Sequence, residues 1–162
     1  MGNNGFKRVL AIVLAATCML AFSFSATFAS VESPKSGLQD GSSNGTYYCD
    51  VTAKTAALQT IYKKSIKTKT VPNTVTHDGV SCKVTTIKKN AFKGCKKLKT
   101  ILIKDKYLKK VQKGAFNKAP KLKTIKIYKS KVGGKSKAKK IKKMILKAMT
   151  AKQKKKIKVK IV

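Results

Sequence analysis

Apolar residues recur along this chain in a pattern that is written twice. Residues 84–103 read VTTIKKNAFKGCKKLKTILI and residues 108–127 read LKKVQKGAFNKAPKLKTIKI. At a constant offset of 24 residues, Val84 maps to Leu108, Ile87 to Val111, and Ala91-Phe92 to Ala115-Phe116. Cys95 maps to Ala119, Leu98 to Leu122, Ile101 to Ile125 and Ile103 to Ile127, while the polar positions between them drift. A period of that length with a fixed apolar skeleton predicts a solenoid, in which each unit buries its apolar side against the next. The Leu-x-x-Ile-x-Ile end of each copy predicts a strand with inward isoleucines. Phe92 and Phe116 are expected to fill the interior beneath a tight helical turn.

Upstream, residues 47–52, 58–62, 71–76 and 80–84 carry the alternation of short strands, and His77-Asp78-Gly79 is a good hairpin turn. Downstream, Gly133-Gly134 breaks the pattern. Ser136 is then a candidate N-cap, and Ala138, Ile141, Ile145, Ala148 and Met149 fall on one face of an amphipathic helix covered elsewhere by lysine. Gln153 and residues 154–156 close it, and Ile157, Val159 and Ile161 alternate as a final strand. Two repeats are too few to stand alone, so distinct caps must close both ends.

The expected organisation is therefore a signal peptide at 1–29, a flexible leader at 30–45 and an N-terminal β cap at 46–83. Repeats follow at 84–132, then a C-terminal amphipathic helix and strand cap at 133–162. The first segment has a basic start (Lys7, Arg8), an apolar run over 9–24 and small Thr27 and Ala29 before Ser30, the plan of a secretory signal. A retained anchor is the rival reading, and a lipoprotein cysteine at Cys18 fits less well after Thr17. Residues 30–45 are rich in Ser and Gly and have no apolar period.

Charge sharpens the picture. The chain carries 39 Lys and Arg against 5 Asp and Glu, a net charge of +34. Its one arginine, Arg8, lies in the segment read as a signal, so the remaining basic residues are all lysine. Sequence-specific readers of nucleic acid favour arginine, whose fork binds bidentately. A lysine coat gives a diffuse positive field instead, so nucleic acid is expected only as a non-specific partner. Two readings of the coat stay open: biased coding with a soluble surface, or a role in binding polyanions.

Chemistry for catalysis is missing. Carboxylates are scarce, His77-Asp78 sits in a turn with no nucleophile assigned to it, and no phosphate loop is present. No enzyme activity, metal or cofactor is expected. After removal of residues 1–29 three cysteines remain. Cys95 occupies the place of Ala119 and is read as a small core residue, whereas Cys49 and Cys82 lie in separate strands and either pair in a disulfide or remain thiols.

The repeat resembles the BspA-type leucine-rich repeat, with its Ile-x-x-x-Ala-Phe-x-x-Cys-x-x-Leu-x-x-Ile-x-Ile rhythm, here Ile87, Ala91, Phe92, Cys95, Leu98, Ile101 and Ile103. The second copy runs Val111, Ala115, Phe116, Ala119, Leu122, Ile125 and Ile127. Residues 71–87 are similar to the hairpin that leads into such repeats. This resemblance implies a β-rich solenoid with short helical turns. It also implies a secreted or cell-surface protein engaged in adhesion, with no catalytic residues to carry over.

Stacking in register would bring Lys89 beside Lys113, Lys97 beside Lys121 and Lys99 beside Lys123. These six are the candidate residues for anionic polymers such as teichoic acid, surface polysaccharide or glycosaminoglycan, and charge would also retain the protein at the wall. The strand-face residues Thr100, Leu102, Thr124 and Lys126 are the candidates for contact with a host or neighbouring-cell protein. A third reading has the C-terminal helix, residues 136–152, act on anionic membrane.

Overall fold

The structure is a computed structural model that describes residues 36–40 and 44–162, the first stretch by its backbone alone. The segment read as a signal peptide lies outside the described residues. Strands β1 (Ser36–Asp40), β2 (Gly45–Asp50) and β3 (Thr55–Ile61) are followed by β4 (Thr68–Val71), β5 (Thr74–His77) and β6 (Val80–Ile87). Next come β7 (Thr100–Ile103), β8 (Lys110–Val111) and β9 (Thr124–Ile127), then helices α1 (Lys129–Val132), α2 (Lys135–Ala148) and α3 (Ala151–Lys156), and finally β10 (Lys158–Ile161).

Two sheets organise them. One is a parallel sheet in the order β4-β7-β9-β10; the other is mixed, in the order β1-β2-β3-β6-β5, with β8 also paired to β6. In the parallel sheet every strand sits in register with the next: Val71, Ile103, Ile127 and Ile161 form one column across it. The 24-residue offset thus becomes one strand spacing, about 4.8 Å.

Repeat chemistry dictates the interior. Ile101, Ile103, Ile125, Ile127, Leu98 and Leu122 are all fully buried. Phe92 and Phe116 stack with ring centroids 5.6 Å apart and planes 7° from parallel. Backbone shape repeats even where residues change. Asn90 (φ 60°) and Gly114 (φ 79°) are 24 residues apart and both left-handed, as are Gly94 (φ 81°) and Lys118 (φ 58°). The turn over each phenylalanine needs these conformations, which Gly and Asn adopt at least cost and Lys118 only under constraint from its neighbours. Gly94 N–H donates to the Lys118 carbonyl at 3.2 Å, tying the two turns together.

Among the described residues four coils are stacked, one for each strand of the parallel sheet, where sequence periodicity counted two. The first runs through β3 and β4, and Ile61 N–H donates to the Ala91 carbonyl at 3.1 Å. Val71 is its counterpart of Ile103, but Lys69 stands where Ile101 and Ile125 stand. That polar substitution, and a shorter turn without the Ala-Phe pair, hide the coil from a search for apolar period. The last coil replaces the turn with α2 and α3 and returns as β10, and Gly114 N–H donates to the Ala148 carbonyl at 3.0 Å.

Several local expectations are corrected. Residues 71–76 are not one strand: β4 and β5 belong to different sheets, because Pro72 has no N–H to donate and redirects the chain. Ser36–Asp40, read as leader, pairs antiparallel with β2; main-chain bonding of this kind leaves no side-chain period. Helix α2 follows Gly134 and Ser136 does not cap it. It stops at Ala148, because Thr150 and Gln153 form a reciprocal capping box that starts α3. The buried face of α2 is Ala138, Ile141, Ile145 and Ala148.

Phe92→Ala is expected to cost about 3–5 kcal/mol, the range for emptying a buried aromatic site. Phe116→Ala should cost a similar amount, and the double variant less than the sum by about 0.5–1.5 kcal/mol, because either truncation already abolishes the stack. Denaturant melts of the four proteins check this.

Candidate functional site

Backbone register decides which lysines meet. Lys99 N–H donates to the Lys67 carbonyl at 2.8 Å, and Lys123 N–H donates to the Lys99 carbonyl at 3.0 Å. Lys67, Lys99 and Lys123 therefore hold the same position in three successive coils, and all are exposed. Lys67 was missed as a column member because its coil was not recognised; its signal is the Ile66-Lys67 step that matches Leu98-Lys99. Lys89 and Lys113 are bracketed by the Ile87–Val111 pair and by the Asn90 N–H bond to Gly114 at 3.1 Å. Lys97 and Lys121 precede fully buried Leu98 and Leu122 and are both exposed.

The four strand-face candidates share the outer side of the parallel sheet. Thr68, Thr100, Thr124 and Lys158 form one row, and Thr70, Leu102, Lys126 and Lys160 the next. Threonine thus gives way to lysine toward the C-terminal coil, and the lysine column of residues 67, 99 and 123 runs along the start of this face. Lys99 and Lys123, read from the sequence as polymer contacts, thus directly precede Thr100 and Thr124, read as protein contacts.

Acidic residues do little to offset this field. Asp50 accepts from Ala53 N–H at 2.8 Å in its turn. His77 Nε2 lies 3.6 Å from Asp78 Oδ2, in the β5–β6 hairpin. Asp105 is wholly buried: one oxygen accepts from Tyr107 N–H at 2.7 Å, and Oδ2 has no hydrogen-bond partner among the described residues. Burial pushes its carboxyl up to about 7, partly countered by the Tyr107 N–H and by Lys137.

Cys49, Cys82 and Cys95 are buried thiols in the structure. Cys49 is pushed up to about 11 by burial and by Cys82 beside it. Cys82 Sγ lies 3.8 Å from the Asp50 carbonyl oxygen, against the strand that carries Cys49. Cys95, above Ala119 in the stack, is also raised by burial, with Lys64 and Lys69 opposing. Ala119 is smaller than Cys95, and beside it opens an apolar depression of about 180 Å³ rimmed by Lys118, Lys152 and Lys156. Among the described residues no group of three or more His, Cys, Asp or Glu could hold a metal.

This geometry of short parallel strands, inward Leu-x-x-Ile-x-Ile and stacked phenylalanine turns matches a known family model. Residues 59–150, more than half of the chain, fit the BspA type leucine rich repeat region (6 copies). The chain belongs to the BspA-type leucine-rich repeat family. Two crystal structures are similar over part of its length. One is a leucine rich cell surface protein from Faecalibacterium prausnitzii, with 23% identity and a TM-score of 0.49, covering 59% of this chain and 24% of that one. The other is a leucine-rich repeat protein from Bacteroides ovatus, with 26% identity and a TM-score of 0.42, covering 54% of this chain and 23% of that one. The chain thus spans under a quarter of the length of either. No curated protein matches it.

Asp105 makes stability pH-dependent. Its folded value lies above the unfolded one, so the folded state holds the proton more tightly and is favoured at low pH. Stability is expected to fall as pH rises from about 4 to about 7, at up to about 1.4 kcal/mol per unit. Asp105→Asn should flatten that slope in melts across this range.

A chain produced without residues 1–29 and kept reduced should show no fast-reacting thiol when folded and three in guanidinium. A count of one in guanidinium after air oxidation would show that Cys49 and Cys82 have paired.

Proposed function

We propose that this protein is a non-catalytic binding module of the cell surface or its surroundings, whose stacked lysines engage anionic polymer. The carrying observation is the column Lys67, Lys99 and Lys123, in which like charges recur at strand spacing along a rigid surface. Repulsion between such neighbours is modest in water and screened by salt. A polyanion along the column supplies counter-charge to every member and releases its own condensed ions, which makes binding steeply salt-dependent. The same force would hold an exported protein at a wall rich in teichoic acid or acidic polysaccharide.

Leu102 supports a second reading. It is an apolar side chain on the outer face of the parallel sheet, between Thr70 and Lys126, and gives a protein partner something to bury. Salt-insensitive binding that depends on Thr100, Leu102, Thr124 and Lys126 would favour it. The membrane reading has less support, since the apolar face of α2 is buried in the fold. Among the described residues no helix is long and apolar enough to cross a membrane.

The test is a titration against purified bacterial wall, with and without its teichoic acid, across a salt series. Binding should require the anionic polymer and weaken steeply with salt. Against inorganic polyphosphate, Lys97→Glu with Lys121→Glu should flatten the log-affinity against log-salt slope by about 2. Two glutamates placed in the leader, one of them Lys35→Glu, should change it less. Equal effects would reduce the columns to undirected charge.

A further inference from the structure

The mixed sheet carries a second surface that differs in kind from the lysine columns. Register aligns Tyr48 with Ala57, Ala57 with Thr86, and Thr86 with Lys110, so these four form one row across β2, β3, β6 and β8. In the strands that flank it the inward residues are core: Tyr47, Cys49, Leu58, Val84 and Ile87 are fully buried. The row therefore lies on the outer face. Ala57, its second member, presents only a methyl group between a tyrosine and a threonine. The space it leaves is a groove of about 300 Å³, at the small end of ligand-site volumes.

A register shift between Ala56 and Ala57, opposite Val84 and Thr86, leaves Thr85 as an extra residue in β6. Bulges of this type re-aim side chains, and here both Thr85 and Thr86 line the groove, with Thr55 on β3 facing them. The two ends differ. At one lies Asp50, with one carboxylate oxygen engaged by Ala53 N–H. At the other lie two lysines, Lys88 and Lys110. Lys88 Nζ is 5.8 Å from the centre of the Tyr48 ring. Gln112 is fixed beside them because its Oε1 accepts Lys89 N–H at 2.8 Å, which leaves its amide donors for another partner.

We propose that this groove binds one acidic sugar unit, a uronic-acid ring within an oligosaccharide. An aromatic edge and a methyl floor suit the apolar face of a pyranose ring. Threonine hydroxyls, the Gln112 amide and the Asp50 carboxylate supply the mixture of donors and acceptors that ring hydroxyls require. Lys88 and Lys110 place two ammonium groups where the ring's carboxylate would lie. A bare polyphosphate has no use for the methyl, the ring or the acid, and is repelled by Asp50. An apolar ligand would find too little carbon. The site lies on a different sheet from the Lys67, Lys99 and Lys123 column, so either can fail without the other.

The full chain would be titrated calorimetrically with a galacturonic acid tetramer, a neutral galactose tetramer and inorganic polyphosphate. The uronate tetramer should bind at least tenfold more tightly than the neutral one. Tyr48→Ala and Ala57→Leu, the latter filling the groove, should each weaken uronate binding at least tenfold and leave polyphosphate binding within twofold. Lys97→Glu with Lys121→Glu should do the reverse. Thr86→Val, equal in shape and lacking the hydroxyl, should weaken uronate binding at least threefold, and serves should the larger changes unfold the protein. Uronate affinity indifferent to these groove changes, or absent while polyphosphate still binds, overturns the groove and leaves the columns standing. If uronate binds through the groove while polyphosphate does not bind, the column reading falls and the groove stands; if neither binds, both fall.

Discussion

No coil of this protein can bury its own apolar side. A unit of about two dozen residues offers one short strand, one turn and a line of inward side chains, and its two flanks stay bare until another coil covers them. Everything else follows from that need for a neighbour. Parallel register is obligatory, because a slip of one residue would turn Ile125 and Ile127 outward and put Lys126 in the core. Left-handed turn positions recur at the same offset because the phenylalanines must superpose to stack. The end coils are then free to differ on their outer flanks, where no further coil has to fit.

The ends show two ways of stopping such a stack. At the N-terminal side the chain forms an antiparallel ribbon, β1 and β2, which pairs with the first coil through main-chain bonds and seals it with Tyr47. At the C-terminal side α2 supplies Ala138, Ile141 and Ile145 as a lid, and α3 with β10 completes the last coil. The C-terminal cap exposes the lysines of α2 and α3 on its outer surface, as an ended solenoid requires. The α2 helix is thus explained by the bare flank it covers, despite a lysine-rich face that would also suit an anionic surface.

Much of this was readable from the residues, since apolar period reports what faces inward. Phe92 with Phe116 and the two Leu-x-x-Ile-x-Ile strands announced the stack. Lysines 89, 97 and 99 could be paired with 113, 121 and 123 by the same offset. The first coil was not legible, because Lys69 interrupts its inward column and its turn lacks the Ala-Phe signature. Lys67 was lost with it. The Thr150–Gln153 box was written plainly in the chain, but a helix assumed to continue past Ala148 concealed it. The groove at Ala57 was out of reach for a different reason: it depends on a bulge that aligns Tyr48, Thr86 and Lys110 from three distant stretches, and no local pattern encodes that.

The two outer surfaces reflect this difference in origin. The parallel sheet is built by repetition, so its lysines recur at a fixed interval and one register of a polymer is much like the next. Affinity of the proposed kind would grow there with the number of contacts and carry little selectivity, as for any charged ladder. The mixed sheet contains strands from outside the repeat, β2 among them, and irregular pairing makes its side chains unlike one another. There an aromatic ring, an acid, hydroxyls and ammonium groups converge around an open space. On the reading proposed above, the periodic face would supply reach and the aperiodic one discrimination, with one core holding both in place.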